Sequence, residues 1–163
     1  KKMVDAGCQK ILFFPLYPQF AGATSATAND EFFRSLIKQT WQPAARTVSP
    51  YFDRPDYINA LATSIERAYE RADVRPEVLV CSYHGVPKRY LMQGDPYHCQ
   101  CQKTTRLLKE RLGWDDTQIV NLSSSVYVFH RAISSLDRSQ PTQTPSIMLH
   151  KPTHGVTYTV ILH

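Results

Sequence analysis

No apolar run in this chain approaches the roughly 20 residues that a membrane-spanning helix needs, so a transmembrane helix is excluded. The first residues carry neither an initiator Met nor a signal-peptide pattern. Lys1-Lys2-Met3-Val4-Asp5-Ala6-Gly7 reads instead as the last turns of a helix closed by Gly7, and a chain that starts inside a helix is expected to lack its beginning. Cysteine is scarce: Cys8, Cys81, Cys99 and Cys101 form no disulfide framework, because the chain is too large and two of them lie one residue apart. Reduced thiols in a cytoplasmic protein fit better. The pattern G-x-S-x-G is also missing, which leaves Ser82, although beside His84, without the setting of a hydrolase nucleophile. Charge is scarce in one region only. Of 19 Lys and Arg and 14 Asp and Glu, just Arg131, Asp137, Arg138 and Lys151 lie beyond residue 120, and Glu is absent there.

What is present describes a globular chain. Hydrophobic residues make up 42% and charged residues 20%, and 163 residues suffice for one domain with a real core. The net charge of +5 raises the question of a nucleic-acid or anionic-membrane partner. The basic residues alternate with acidic ones, however, and the densest run, Lys103 to Arg111, lies on a helical pattern and reads as a solvated face. A nucleic-acid partner is therefore not expected.

Up to about residue 120 one pattern repeats: a short apolar run, a loop, then an amphipathic helix. Ile11 to Phe14 and Val78 to Cys81 are continuous apolar runs, as parallel strands covered on both faces require. A weaker strand is expected near Arg46 to Tyr51 and another from Gln118 to Leu122. Helices are expected from Thr27 to Trp41, after Pro55, and from Cys101 to Leu112 with Gly113 as the stop. Thr27 and Asp30 have nearly capping-box spacing, and Phe32, Phe33, Leu36, Ile37 and Trp41 form that helix's stripe. Such alternation implies an α/β fold with a doubly wound parallel sheet, in which ligands bind beyond the carboxyl ends of the strands. That rule selects two loops, Pro15 to Phe20 and Ser82 to Pro87. Residues 1–120 form this region; residues 121–163, poor in charge and without a helical stripe, form an atypical tail that reads as frame-shifted or disordered sequence.

His84 is the sharpest chemical candidate. It directly follows a strand and is flanked by Gly85, which permits close backbone approach, and by Pro87, which stiffens the loop. Imidazole suits both proton transfer near neutral pH and borderline metal ions. The segment S-Y-H-G-V-P-K-R-Y followed by G-D-P-Y resembles the signature of ferrochelatases, and P-L-Y-P-Q-F-A-G-A-T-S-A-T is similar to a second segment of that family. Both stand in the family's order and spacing, over about residues 1 to 120.

The resemblance implies a chelatase-like fold of Rossmann- or flavodoxin-like units, incomplete in this chain. It implies insertion of ferrous iron into protoporphyrin IX to form protohaem in haem synthesis, with no cofactor beyond the Fe2+ substrate. His84 would be the catalytic acceptor of a pyrrole proton, an iron ligand, or both. Tyr17, Gln19, Phe20 and Tyr83 would contact the porphyrin. A base over the macrocycle is needed because two N–H protons must leave as the metal enters, and bending the ring exposes the nitrogen lone pairs. Cys99 and Cys101, one residue apart, fit poorly with zinc or iron–sulfur ligation. The family's partner glutamate has no counterpart here, which leaves a non-catalytic porphyrin- or haem-binding remnant as the alternative. Insertion of another metal, such as cobalt, also stays open, as does peripheral membrane contact. Half of a two-unit fold would expose apolar surface, so poor solubility is expected.

Overall fold

A computed structural model describes residues 2–72, 77–123, 147–150 and 157–161. The chain opens with α1 (Lys2–Asp5), β1 (Lys10–Phe13), a π-helical turn (Gly22–Ala26), α2 (Thr27–Ile37) and β2 (Ala44–Thr47). It continues with α3 (Pro55–Arg71), β3 (Val78–Tyr83), α4 (Lys88–Met92), α5 (Tyr97–Leu112) and β4 (Ile119–Ser123). Two strands of the tail follow, β5 (Ile147–His150) and β6 (Thr157–Ile161), of which only the backbone is described.

The strands alternate with helices as expected and the helix-linked pairs are parallel, but they form two sheets. β1 pairs with β2, while the second sheet has the order β4-β3-β6-β5. In that sheet β3 is central and parallel to both neighbours, and β5 runs antiparallel to β6. The remainder of the expected tail, residues 124–146, 151–156 and 162–163, lies outside the described residues.

Local chemistry explains the ends of the elements. Gly7, at φ 81°, closes α1: Gly7 N–H donates to Val4 O and Cys8 N–H to Met3 O, the paired bonds of a left-handed C-cap. Pro55 opens α3, where its missing N–H costs nothing. The capping-box reading of Thr27 is corrected. Its hydroxyl donates back to Gly22 O at 2.9 Å, because the π-helical turn already carries the chain into α2. That helix stops at Ile37, so Trp41 lies beyond it.

One core holds the larger part together. Leu79, Cys81 and Tyr83 on one face of β3 meet Ala62 and Ile65 of α3, Cys101 and Leu108 of α5, and Ile119 of β4. These β3 residues are two apart, as one face of a strand requires. Val80 and Ser82 on the opposite face are buried as well, which accounts for the continuous apolar run. The β1–β2 unit is covered less. Phe32 stacks on Phe13 at 4.5 Å, but Leu12, Phe14, Phe33, Ile37 and Trp41 remain exposed. Two strands offer too narrow a face for the full stripe of α2. Large-to-small substitution should separate these environments: Leu108→Ala, at a fully buried site, should cost about 2–5 kcal/mol, and Leu12→Ala, at an exposed one, less than about 0.5 kcal/mol, by urea unfolding.

Candidate functional site

The G-D-P-Y motif of the sequence is a junction between two helices. Gly94 adopts φ 91°, a conformation open to glycine at little cost, and ends α4 with Gly94 N–H bonded to Leu91 O and Asp95 N–H to Tyr90 O. Asp95 then accepts two backbone donors. Its Oδ1 takes the N–H of Tyr97, at the start of α5, at 2.9 Å, and its Oδ2 takes the N–H of Gly22, at the start of the π-helical turn, at 2.8 Å. A carboxylate at two helix starts satisfies unpaired donors and faces the positive ends of both dipoles. Pro96 fits the turn because it has no N–H to lose.

The same helix α5 holds the other loop. Gln100 Oε1 accepts from Phe20 N–H at 2.6 Å, and the buried Gln19 side chain donates from Nε2 to Thr104 Oγ1 at 3.0 Å. Thr104 in turn lies 2.9 Å from Phe52 O and 3.0 Å from Gln100 O, either of which can accept its hydroxyl proton. The two loops therefore adjoin through α5 and Asp95, although β1 and β3 belong to different sheets.

A recess of about 280 Å3 opens at the carboxyl end of β3, with Tyr83 and the loop from His84 to Lys88 on one side and Tyr97, His98 and Cys101 of α5 on the other. His84 is exposed at its rim, and Tyr83 is buried, sharing a hydrogen bond of 2.9 Å with the Thr105 hydroxyl. Tyr17, Gln19 and Phe20 are not in its lining. Tyr17 is exposed, Phe20 half-buried, and Gln19 is directed inward to Thr104 and the vicinity of Tyr57. A larger depression of about 850 Å3 runs along the outer side of α3, with no histidine or cysteine in its lining. The recess, placed where the strand rule puts ligands, is the better candidate.

Neutral donors line the recess (Tyr83, Tyr97 and Cys101) and pack near it (Cys81 and Tyr57). Desolvation pushes the Cys81 and Cys101 thiols up to about 12 and raises Tyr57, Tyr83 and Tyr97 well above the usual phenol range. The Tyr97 hydroxyl lies beside the Cys101 thiol and the backbone of His84. Cys99 and Cys101, two apart on α5, point in different directions, so Cys99 is exposed and Cys101 buried. Among the described residues, no three His, Cys, Asp or Glu side chains stand close enough to hold a metal ion. The basic run on α5 is met by carboxylates: Lys103 with Asp53, Arg106 with Glu110, Lys109 with Asp116, and Arg111 with Glu66.

The model of the ferrochelatase family matches residues 1–126. This chain belongs to the ferrochelatase family. The ferrochelatase of Rhodobacter capsulatus is 65% identical over 125 residues, 77% of this chain and 36% of the relative. That of Allorhizobium ampelinum is 60% identical over 115 residues, 71% and 33% of the two chains. The Rhizobium meliloti ferrochelatase is 58% identical over 114 residues, 70% and 34%. The chain thus spans about a third of the length of the curated relatives it matches.

The sequence motifs point to His84, Tyr83, Tyr17, Gln19 and Phe20 and do not single out Asp95, Gln100, Thr104 or Lys88. For Gln100 and Thr104 the available signal was their spacing, four apart on the inner side of a helix, where a polar side chain must find partners. Two predictions follow from these contacts. Asn at position 95 keeps one carbonyl acceptor and Ala keeps none, so urea unfolding should rank wild type above Asp95→Asn above Asp95→Ala, with about 1–2 kcal/mol over the series. In the unfolded chain thiols lose their protons near 9.0, against about 12 for the buried pair. Between these values the unfolded state binds fewer protons, so stability falls as pH rises, by up to about 1.4 kcal/mol per pH unit for each thiol. Cys81→Ala should reduce that slope when unfolding is measured from pH 9 to 10.

Proposed function

We propose that this chain supplies the histidine side of a porphyrin site, in an enzyme that inserts ferrous iron into protoporphyrin IX to form protohaem. The observation that carries the reading is His84, exposed at the rim of an apolar recess at the carboxyl end of β3, within residues that match the ferrochelatase family. A recess of about 280 Å3 is at the small end for a ligand site and takes an edge of the macrocycle rather than the whole. The opposite wall, and the glutamate that the resemblance implies, belong in this reading to the remainder of a protein about three times as long.

The chemistry asks for a base and for shape. Free porphyrin and Fe2+ give the iron porphyrin and two protons, and the His84 imidazole accepts one of these as a ring nitrogen gives it up. Direct ligation of the iron by His84, alone or together with proton acceptance, is the alternative role. Tyr83, with its hydroxyl tied to Thr105, gives the recess a fixed floor against which a ring edge can be pressed out of plane. Tyr17 and Phe20 contact the porphyrin beyond the recess, and Gln19 orients their loop from inside through Thr104. Iron enters as substrate, and no further cofactor is invoked.

The four cysteines are free, which supports placing the protein in the cytoplasm, where thiols stay reduced. The ferrochelatase-like region is best closed after β4, since a boundary at residue 120 falls inside that strand; the family match ending at residue 126 supports this.

A chimera tests the reading. Residues 1–126 placed in the Rhodobacter capsulatus ferrochelatase, in exchange for its matching third, should sustain zinc insertion into deuteroporphyrin followed by fluorescence. His84→Ala in that chimera should lower turnover about 10²–10⁴-fold, and unchanged turnover would remove His84 from the mechanism.

A further inference from the structure

We propose that Lys88 determines substrate choice in the recess by binding a side-chain carboxylate of the tetrapyrrole whose edge the recess holds. The inference rests on the porphyrin reading above and adds to it a residue and the ligand group it recognises. Lys88 is the first residue of α4 and stands in the lining of the recess, four positions after His84. The walls around it are apolar, with Val86, Pro87 and Leu91 on its own segment, and no Asp or Glu lies in the lining. The remaining ionisable nitrogens there are those of His84 and His98.

Lys88 is also free to bind. Each basic side chain on α5 is in an ion pair, whereas Lys88 forms none among the described residues. An ammonium without a protein partner keeps its hydration until an anion replaces it, and a carboxylate then gains a charge-assisted hydrogen bond. The complementary ligand has an apolar body with negative charge at its margin, because the recess has apolar walls with positive charge at its margin. A porphyrin bearing propionates has that form. With its edge in the recess, a carboxylate reaches Lys88 at the rim while the ring nitrogens turn toward His84, so the lysine sets which edge enters.

The test uses the chimera of residues 1–126 with the Rhodobacter capsulatus remainder, titrated by fluorescence with deuteroporphyrin and with its dimethyl ester, both kept monomeric in a non-ionic detergent. Lys88→Gln should weaken deuteroporphyrin binding about tenfold and leave ester binding unchanged, and Lys88→Arg should restore binding of the acid. Equal weakening of both ligands shows a structural role and overturns the inference, as does undiminished binding of the acid. A chimera with Lys88 intact that binds neither porphyrin overturns the porphyrin reading along with the inference, whereas acid binding indifferent to Lys88→Gln overturns the inference alone.

Discussion

A carboxylate with two oxygens can satisfy two backbone donors at once, and Asp95 does so where two helical segments begin. Gly22 N–H and Tyr97 N–H are 75 positions apart in the chain, yet both end on this one side chain. Each belongs to a helix start, where backbone donors have no partner within the helix and a buried one would otherwise cost free energy. The left-handed turn at Gly94 delivers Asp95 to that point, and Pro96 lets α5 begin immediately after it. The placing of the recess follows: α5 carries Tyr97, His98 and Cys101 to one side of it, and β3 brings His84 to the other.

Helix α5 divides its surface among three tasks. Leu108 and Cys101 enter the core, Gln100 and Thr104 hold the loop from Gln19 to Phe20, and Lys103, Arg106, Lys109 and Arg111 stay in water with carboxylates nearby. The exposed ion pairs contribute little to stability singly. The buried bonds matter more, since Thr104 and Gln19 are removed from water: without Thr104 the Gln19 amide loses the acceptor of its N–H, whereas Thr104 keeps Phe52 O and Gln100 O as acceptors. Tyrosines and thiols in and beside the recess are held toward their protonated forms for the same reason: burial disfavours the charged ones. The lining of the recess thus combines the neutral donors Tyr83, Tyr97 and Cys101 with the basic groups His84, His98 and Lys88.

Much of this architecture is legible in the residues alone. The run Val78 to Cys81 marks a strand buried on both faces, which β3 is, and Gly7 and Gly113 mark helix ends that the backbone confirms. Boundaries are less so. Helix α5 starts at Tyr97 rather than Cys101, because Asp95 supplies the cap from a turn whose role cannot be seen without its second partner, Gly22. The stripe proposed for α2 extends to Trp41 by spacing, but the helix ends at Ile37 and leaves that residue exposed. Periodicity records which side chains are apolar, not how wide a surface they will find.

The order of residues specifies the alternation of parallel strands and helices, the position of His84 at a strand end, and membership of the ferrochelatase family through two motifs in order. These are local properties, written in runs of adjacent residues and their spacing. Packing in three dimensions sets the rest: the described strands fall into two sheets, Gln19 turns inward to Thr104, and Lys88 and Tyr97 share a recess with His84. Each of these depends on a contact between segments far apart in the chain, and the pairing of a donor with a distant acceptor is set by where the packed helices bring them.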